Sequence, residues 1–331
     1  MKLNLINNLL SILPKEIVSL LTGKLLGDAN LNLQKGKRPR FYFSHSIHDK
    51  QWAFHCYDRV KTFLPLPPPK YSKITDDRVG QGFTKKYYIQ SKTCPANDLL
   101  KEIWYPNNKK TIPFELLEKT INTEALAWWY QDDGHLKRKL STYEKIVIST
   151  DSFSKDENLK LIQLLSNKFQ LHFLLDGQNR LVLYNKPPIN YFLFLVEPYI
   201  HQSMSRKTLA IQLPIPPQPL HKRTTVYLPS SIDIKHPTKY INSLLESLPH
   251  IQKELTSRDN LVKFYKSVDF QRVLATRKNN TKGYQIRINQ ASLNKMHFIR
   301  KLLGITNSQI VWLCYLYEQK SPFNRQNSQN W

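Results

Sequence analysis

The sequence predicts an α+β protein in which one αββαββα unit is written twice and followed by a mainly helical, basic extension. Three observations carry this. Two apolar helices that each end in acid, LLTGKLLGDA at 20–29 and ALAWWYQDDG at 125–134, open stretches with the same order of elements. Each is followed by strand patterns rich in alternating and β-branched residues. The proline-rich LPIPPQPL at 213–220 then sets off a tail of different composition, since proline lacks a backbone donor and resists helix.

A short segment at 1–15 precedes the first unit, expected over 16–106. After its opening helix, residues 30–48 read as a hairpin in which Phe41 and Phe43 alternate with Arg40 and Tyr42. A helix over 50–63, a second hairpin over 71–91 and a closing helix over 96–104 complete the unit. A linker over 107–122 leads to the second unit, 123–212. Its first hairpin, 135–150, contains the β-branched run IVIST. A helix over 155–169 carries Leu161, Leu164 and Leu165 at helical spacing. A hairpin over 171–184 turns at Asp176-Gly177, and a helix over 189–200 closes the unit. The extension, 213–331, is expected to hold helices over 238–248, 252–268, 291–303 and 308–318, with a strand at 283–289.

The 331 residues include 49 Lys+Arg against 25 Asp+Glu, a net charge of +24. With 40% hydrophobic and 11% aromatic residues the chain can bury cores, which excludes wholesale disorder. So large a positive surplus exceeds what solubility needs and points to a polyanionic partner, most simply nucleic acid. Residues 213–331 hold 18 basic and 6 acidic residues, nearly twice the net charge density of the rest. The three cysteines, Cys56, Cys94 and Cys314, form no Cys-x-x-Cys pair. That argues against a disulfide framework or zinc cluster and for a reducing compartment. No segment reads as a secretory signal or a membrane span.

Gly23 and Gly27 share one helix face and permit close approach of a second helix, with Ala127 as the small residue opposite. Asp28 follows Gly27, and Asp132 and Asp133 occupy the matching place in the second copy. An Asp after Gly can simply end a helix, and Asp-Asp-Gly is a common turn. Two such motifs at matching places in a basic chain favour a shared site instead. If the helices pack side by side, Asp28 and Asp133 converge into an oxygen-rich site for a hard divalent cation. Beside a basic surface such a pair suits hydrolysis of a phosphodiester. Trp128 and Trp129 are expected as core anchors, and His45, His48 and His55 as surface or groove histidines with no metal-ligand spacing.

LTGKLLGDA (21–29) and LAWWYQDDG (126–134) resemble the two signature helices of single-chain LAGLIDADG homing endonucleases, and most of all the I-SceI-like branch. NNKKTIP at 107–113, NKFQL at 167–171 and the stretch from PYI to MSRK at 198–207 extend the resemblance over about 16–212. It implies two αββαββα domains whose sheets form a saddle in the DNA major groove, and a metal-dependent cut of both strands. Asp28 and Asp133 then carry the catalytic carboxylates. The carbonyls of Gly27 and Asp132 add metal ligands, and Lys110 and Lys207 lie near the active centre. Mg²⁺ is the expected cofactor, with Mn²⁺ as a substitute. The second signature departs from the consensus at Trp128, Tyr130 and Asp132, where small or aliphatic residues are usual.

DNA contacts are expected from the hairpins, whose alternate residues share a face. The candidates are Lys35, Lys37, Arg38 and Arg40 in the first hairpin and Lys73, Arg78, Lys85 and Lys86 in the next. Lys137, Arg138, Lys139, Lys145 and Arg180 belong to the second unit. The expected partner is double-stranded DNA with a long, pseudo-palindromic site, bound by a monomer encoded in an organelle, mitochondrion or chloroplast. The alternatives are an RNA maturase that assists splicing of its own group I intron, and a non-catalytic DNA-binding protein. The extension is read as an added nucleic-acid-binding region, or else as a stabilising appendage.

Overall fold

Helices α1 (Lys2–Ile12) and α2 (Lys15–Leu26) open the chain. Every residue of α2 from Ile17 to Leu26 is buried, as expected of a helix that is apolar on nearly every side. This computed structural model describes residues 2–32, 34, 36–80, 82–139, 142–209, 223–276 and 280–320. The chain divides into two compact units, 1–185 with 192–211, and 186–191 with 212–331. The proline-rich segment 213–220 lies outside the described residues.

The fold is α+β. After α2 come β1 (Asn30–Asn32), β2 (Arg40–Ser46), α3 (Lys50–Val60), β3 (Lys70–Thr75), β4 (Phe83–Gln90) and α4 (Pro95–Trp104). Helix α5 (Phe114–Thr120) bridges to α6 (Thr123–Asp133). The same order then repeats as β5 (Gly134–Lys139), β6 (Thr142–Ile148), α7 (Lys155–Phe169), β7 (Leu174–Leu175), β8 (Leu181–Tyr184) and α8 (Lys186–Val196). The sheets have matching orders, β1-β2-β4-β3 and β5-β6-β8-β7, all antiparallel.

Local chemistry explains the boundaries. Ser154 and Glu157 form a reciprocal capping box at the start of α7, and Gln170 ends it in the left-handed conformation. Asn122 caps α6 by accepting from the Ala125 N–H at 2.8 Å. Helix α6 passes into β5 with no intervening residue. A Cβ on Gly134 would lie 1.9 Å from the Tyr130 ring, so only glycine fits that junction.

Helices α2 and α6 pack side by side at the centre of this unit. A Cβ on Gly23 would fall 2.4 Å from the Ala125 carbonyl oxygen, and one on Gly27 would fall 2.7 Å from Asp132 Cβ. The small residue facing Gly23 is therefore Ala125, and Ala127, the packing residue expected from the sequence, is fully buried as well. Gly23→Ala should destabilise by about 1–3 kcal/mol, because the added methyl meets backbone that cannot swing away. Urea unfolding measures this, and an unchanged midpoint would contradict the close approach.

In the second unit, β9 (Thr224–Pro229) pairs antiparallel with β10 (Thr281–Ile286). Helices α9 (Pro237–Leu244), α10 (Leu248–Glu254), α11 (Arg258–Lys266), α12 (Val268–Ala275), α13 (Gln290–Leu303) and α14 (Asn307–Lys320) accompany this pair. Its core includes Val226, Leu228, Ile241, Leu244, Phe270, Val273, Ile299 and Ile310. The single helix expected over 252–268 is two, because the chain breaks at residues 255–257, where Leu255 caps one helix and Ser257 precedes the next. Among the described residues no helix is long and apolar enough to cross a membrane.

Candidate active site

The two acid-tipped helices meet at their C-terminal ends. The Asp28 backbone N–H donates to Asp132 Oδ2 at 3.2 Å. Burial pushes the Asp133 carboxyl up to about 7, with the Asp28 and Asp132 charges adding and Lys110 and Lys207 opposing. Burial likewise pushes Asp28 up to about 6, with Asp132 adding and Lys24 and Lys207 opposing. Asp28 and Asp133 thus share one electrostatic environment, a buried one in which a bound cation would favour their charged forms.

Both expected lysines lie beside Asp133. Lys110 follows α4 and donates to the Ala29 carbonyl at 3.0 Å. Lys207 lies in a 3₁₀ segment, Gln202–Lys207, and donates to the last carbonyls of α6: Tyr130 at 3.2 Å, Gln131 at 2.5 Å and Asp132 at 3.3 Å. A cation there also suits the negative end of the helix dipole. Burial pulls both ammonium groups down to about 8, while nearby aspartates hold them up. Next to Lys207, Arg206 pairs with Asp49 at 2.9 Å, tying this segment to the start of α3.

Asp132 has a role that the sequence did not indicate. Its side chain is fully buried and turned inward, where Lys24 Nζ lies 2.9 Å from Oδ1 and 2.8 Å from Oδ2. Trp52 Nε1–H donates to Oδ1 at 2.9 Å. Burial opposes both charges, yet their attraction outweighs it, holding the Lys24 ammonium above its ordinary value and the Asp132 carboxyl below its own. The expectation of a surface or groove position fails for His45, which is 6% exposed. It sits on β2 in alternation with Phe41 and Phe43, so its ring faces the helices. Its Nε2 is 2.9 Å from Lys24 Nζ and its Nδ1 3.3 Å from Asp28 Oδ2. Lys24, His45 and Trp52 went unrecognised as site residues. The legible signals were a lysine inside an otherwise apolar helix and the parity of residues 41, 43 and 45.

Asp28, His45 and Asp132 could each offer a ligand atom within 4.8 Å of one another. The Lys24 ammonium fills that space already, so this trio holds no metal. The donors expected from the sequence are different, the Asp28 and Asp133 carboxylates with the Gly27 and Asp132 carbonyls, of which the Asp132 carbonyl also accepts from Lys207. All are hard oxygens, which suits a divalent cation of the Mg²⁺ type.

The sheets divide the DNA-contact candidates. Arg40 and Lys86 share the open face of the first sheet with Tyr42, Ser44 and Tyr88. Lys137 and Lys145 are direct partners on the open face of the second, where Lys145 Nζ lies 5.6 Å from the Tyr184 ring centre. Lys73 and Lys85 are cross-strand partners on the opposite face, both over the Phe83 ring, so neither lines the open surface. Arg38, Arg78 and Arg180 are held by Asp98, Asp76 and Asp176. Arg138 donates to the Thr208 carbonyl at 2.6 Å, and Lys139 lies 3.9 Å from Glu144. Lys37 is exposed in the β1–β2 loop, and Lys35 lies outside the described residues.

Residues 18–185 match the sequence profile of the LAGLIDADG DNA endonuclease family. The chain belongs to that family. Among the relatives of this LAGLIDADG protein is a probable intron-encoded endonuclease of Wickerhamomyces canadensis, 28% identical over 194 residues, 57% of this chain and 82% of that protein. A cytochrome b mRNA maturase, bI2, of Debaryomyces hansenii is 26% identical over 59% of this chain and 74% of its own. An uncharacterised protein of Methanocaldococcus jannaschii is 29% identical over the same shares. The solved structure of the homing endonuclease I-WcaI bound to its DNA recognition sequence aligns with a TM-score of 0.53 and 26% identity, covering 61% of this chain and 88% of that one.

Proposed function

We propose that this LAGLIDADG protein is a site-specific, intron-encoded homing endonuclease of an organelle, hydrolysing one phosphodiester in each DNA strand with Mg²⁺ or Mn²⁺. The observation that carries the reading is the convergence of Asp28 and Asp133, with Lys110 and Lys207 beside them, at the abutting ends of α2 and α6. The relatives named as endonucleases, and the DNA-bound neighbour, support it.

Asp28 and Asp133 would hold the cation, each serving one strand. When bound, the cation supplies Lewis acidity at the scissile phosphate and lowers the pKa of the attacking water. Lys110 and Lys207 offer positive charge to the transition state at fixed positions, because backbone carbonyls already orient their ammonium groups. Arg40, Lys86, Lys137 and Lys145 bring charge to the open faces, which bind the duplex as a monomer. The first test is incubation of the purified chain and Mg²⁺ with a plasmid carrying the intronless host allele, followed by mapping of the ends. Discrete paired nicks support the reading, and uncut plasmid counts against it. Binding should weaken steeply with salt, by tenfold or more between about 50 and 200 mM, because counterions are released from several phosphates. A salt-insensitive affinity would exclude the sheets as the binding surface.

The maturase relatives favour one second reading, assistance in splicing of the chain's own group I intron. Splicing that survives replacement of both catalytic aspartates would separate the two activities.

A further inference from the structure

His45 is a buried group in direct contact with a candidate catalytic carboxylate, and nothing in the hydrolytic scheme above uses it. Lys24 Nζ has only hydrogens to offer, so His45 Nε2 must accept at their 2.9 Å contact. The proton of a neutral ring then belongs on Nδ1, which faces Asp28 Oδ2 at 3.3 Å. Lys24 is itself held by both oxygens of Asp132, and Asp132 also accepts from Trp52 and from the Asp28 backbone. The ring therefore sits at the end of a chain of contacts with no free choice of tautomer.

Among the described residues the second half has no counterpart. The two signatures are 105 residues apart, and the strand register keeps that offset, so Lys24 corresponds to Trp129, His45 to Thr150 and Trp52 to Glu157. Thr150 donates to the Asn179 carbonyl at 3.0 Å. Glu157 is occupied by the Ser154 cap and by the Ile112 N–H. We propose that His45 is a positioning residue for Asp28, its Nδ1–H fixing that carboxylate under the control of Lys24, so that cleavage of one strand depends on a histidine and cleavage of the other does not.

This inference rests on the nuclease reading for its consequence but not for its contact. The contact is read by ¹⁵N NMR of the histidine rings of the full chain at pH 7, with His45 assigned by its absence from His45→Asn. A neutral ring protonated on Nδ1 is expected; an Nε2–H tautomer or an imidazolium overturns the proposal. The consequence is read by strand-resolved cleavage, with Mg²⁺, of a duplex recovered from a randomised plasmid library by the wild-type chain. His45→Ala should slow one strand by about 10–100-fold, the usual cost of losing a group that orients a ligand. The other strand should change less than about twofold, so nicked product accumulates. His45→Asn, whose amide N–H falls near the position of Nδ1, should restore most of the lost rate, and His45→Gln should not. Equal slowing of both strands, or equal rescue by Gln, overturns the positioning role. A wild-type chain that cuts no library member overturns the nuclease reading and the strand claim together, while the ring spectrum still decides the contact.

Discussion

Asp28→Asn and Asp133→Asn should each lower the rate of double-strand cleavage by at least about 10²–10³-fold, the scale of losing one preorganised charged group at a reacting centre. Target affinity in Ca²⁺ or EDTA should stay within a few-fold. Asparagine keeps the shape but removes the anionic oxygen that a hard cation requires. A gel-shift assay beside end-labelled cleavage separates the two effects, and equal losses of binding and cutting would argue that the aspartates serve the fold. In metal-free buffer the same variants should melt at a higher temperature. Both carboxyls titrate higher in the folded chain, at about 6 and 7, than the ordinary value of 3.8. Between those pH values the folded state binds more protons than the unfolded one, so stability falls as pH rises through the window. Removing the charges removes that penalty. A wild type whose melting temperature rises between pH 4 and pH 7 would contradict the sign.

The second large effect concerns stability. Asp132→Asn or Lys24→Met should each cost about 3–5 kcal/mol, because each leaves a fully buried charge without its partner. The double variant, Lys24→Met with Asp132→Asn, should be less destabilised than the sum of the singles, with a coupling of about 0.5–3 kcal/mol. Full recovery is not expected, since Trp52 Nε1 and the Asp28 N–H lose a charged acceptor. Urea melts of the four proteins in one buffer measure the cycle. Strict additivity would mean that the two charges do not sense each other.

The architecture was readable because its signals are local. Hydrophobic spacing marked α7 to the residue, and acid-tipped apolar helices marked α2 and α6. The strand β9 and the division of the 252–268 helix were missed for the opposite reason. TTVYLP has too few residues to establish a period, and nothing in LTS at 255–257 breaks a helix outright. In the outer layer of the candidate site, the paired motifs pointed to Asp28 and Asp133, whereas Lys110 and Lys207 stood out from the other basic residues only through the family resemblance. The inner layer was not legible, because Lys24 and Asp132 are 108 residues apart and only the close approach at Gly27 brings them together. The basic residues likewise looked alike in sequence. Pairing decided which are held by carboxylates, and register decided that Lys73 and Lys85 face away from the open surface.

The direct passage of α6 into β5 has a mechanical consequence. Asp133 ends the helix, Gly134 begins the strand, and the N–H of Ser149, just past β6, donates to the Asp133 carbonyl at 3.1 Å. No slack separates the surface that would touch bases from the group that would cut. A mismatched site that tilts the strand carries the carboxylate with it, and a displacement of about 1 Å at a reacting group can cost a hundredfold in rate. Such a site can be gripped and still left intact, so fidelity of cutting should exceed fidelity of binding.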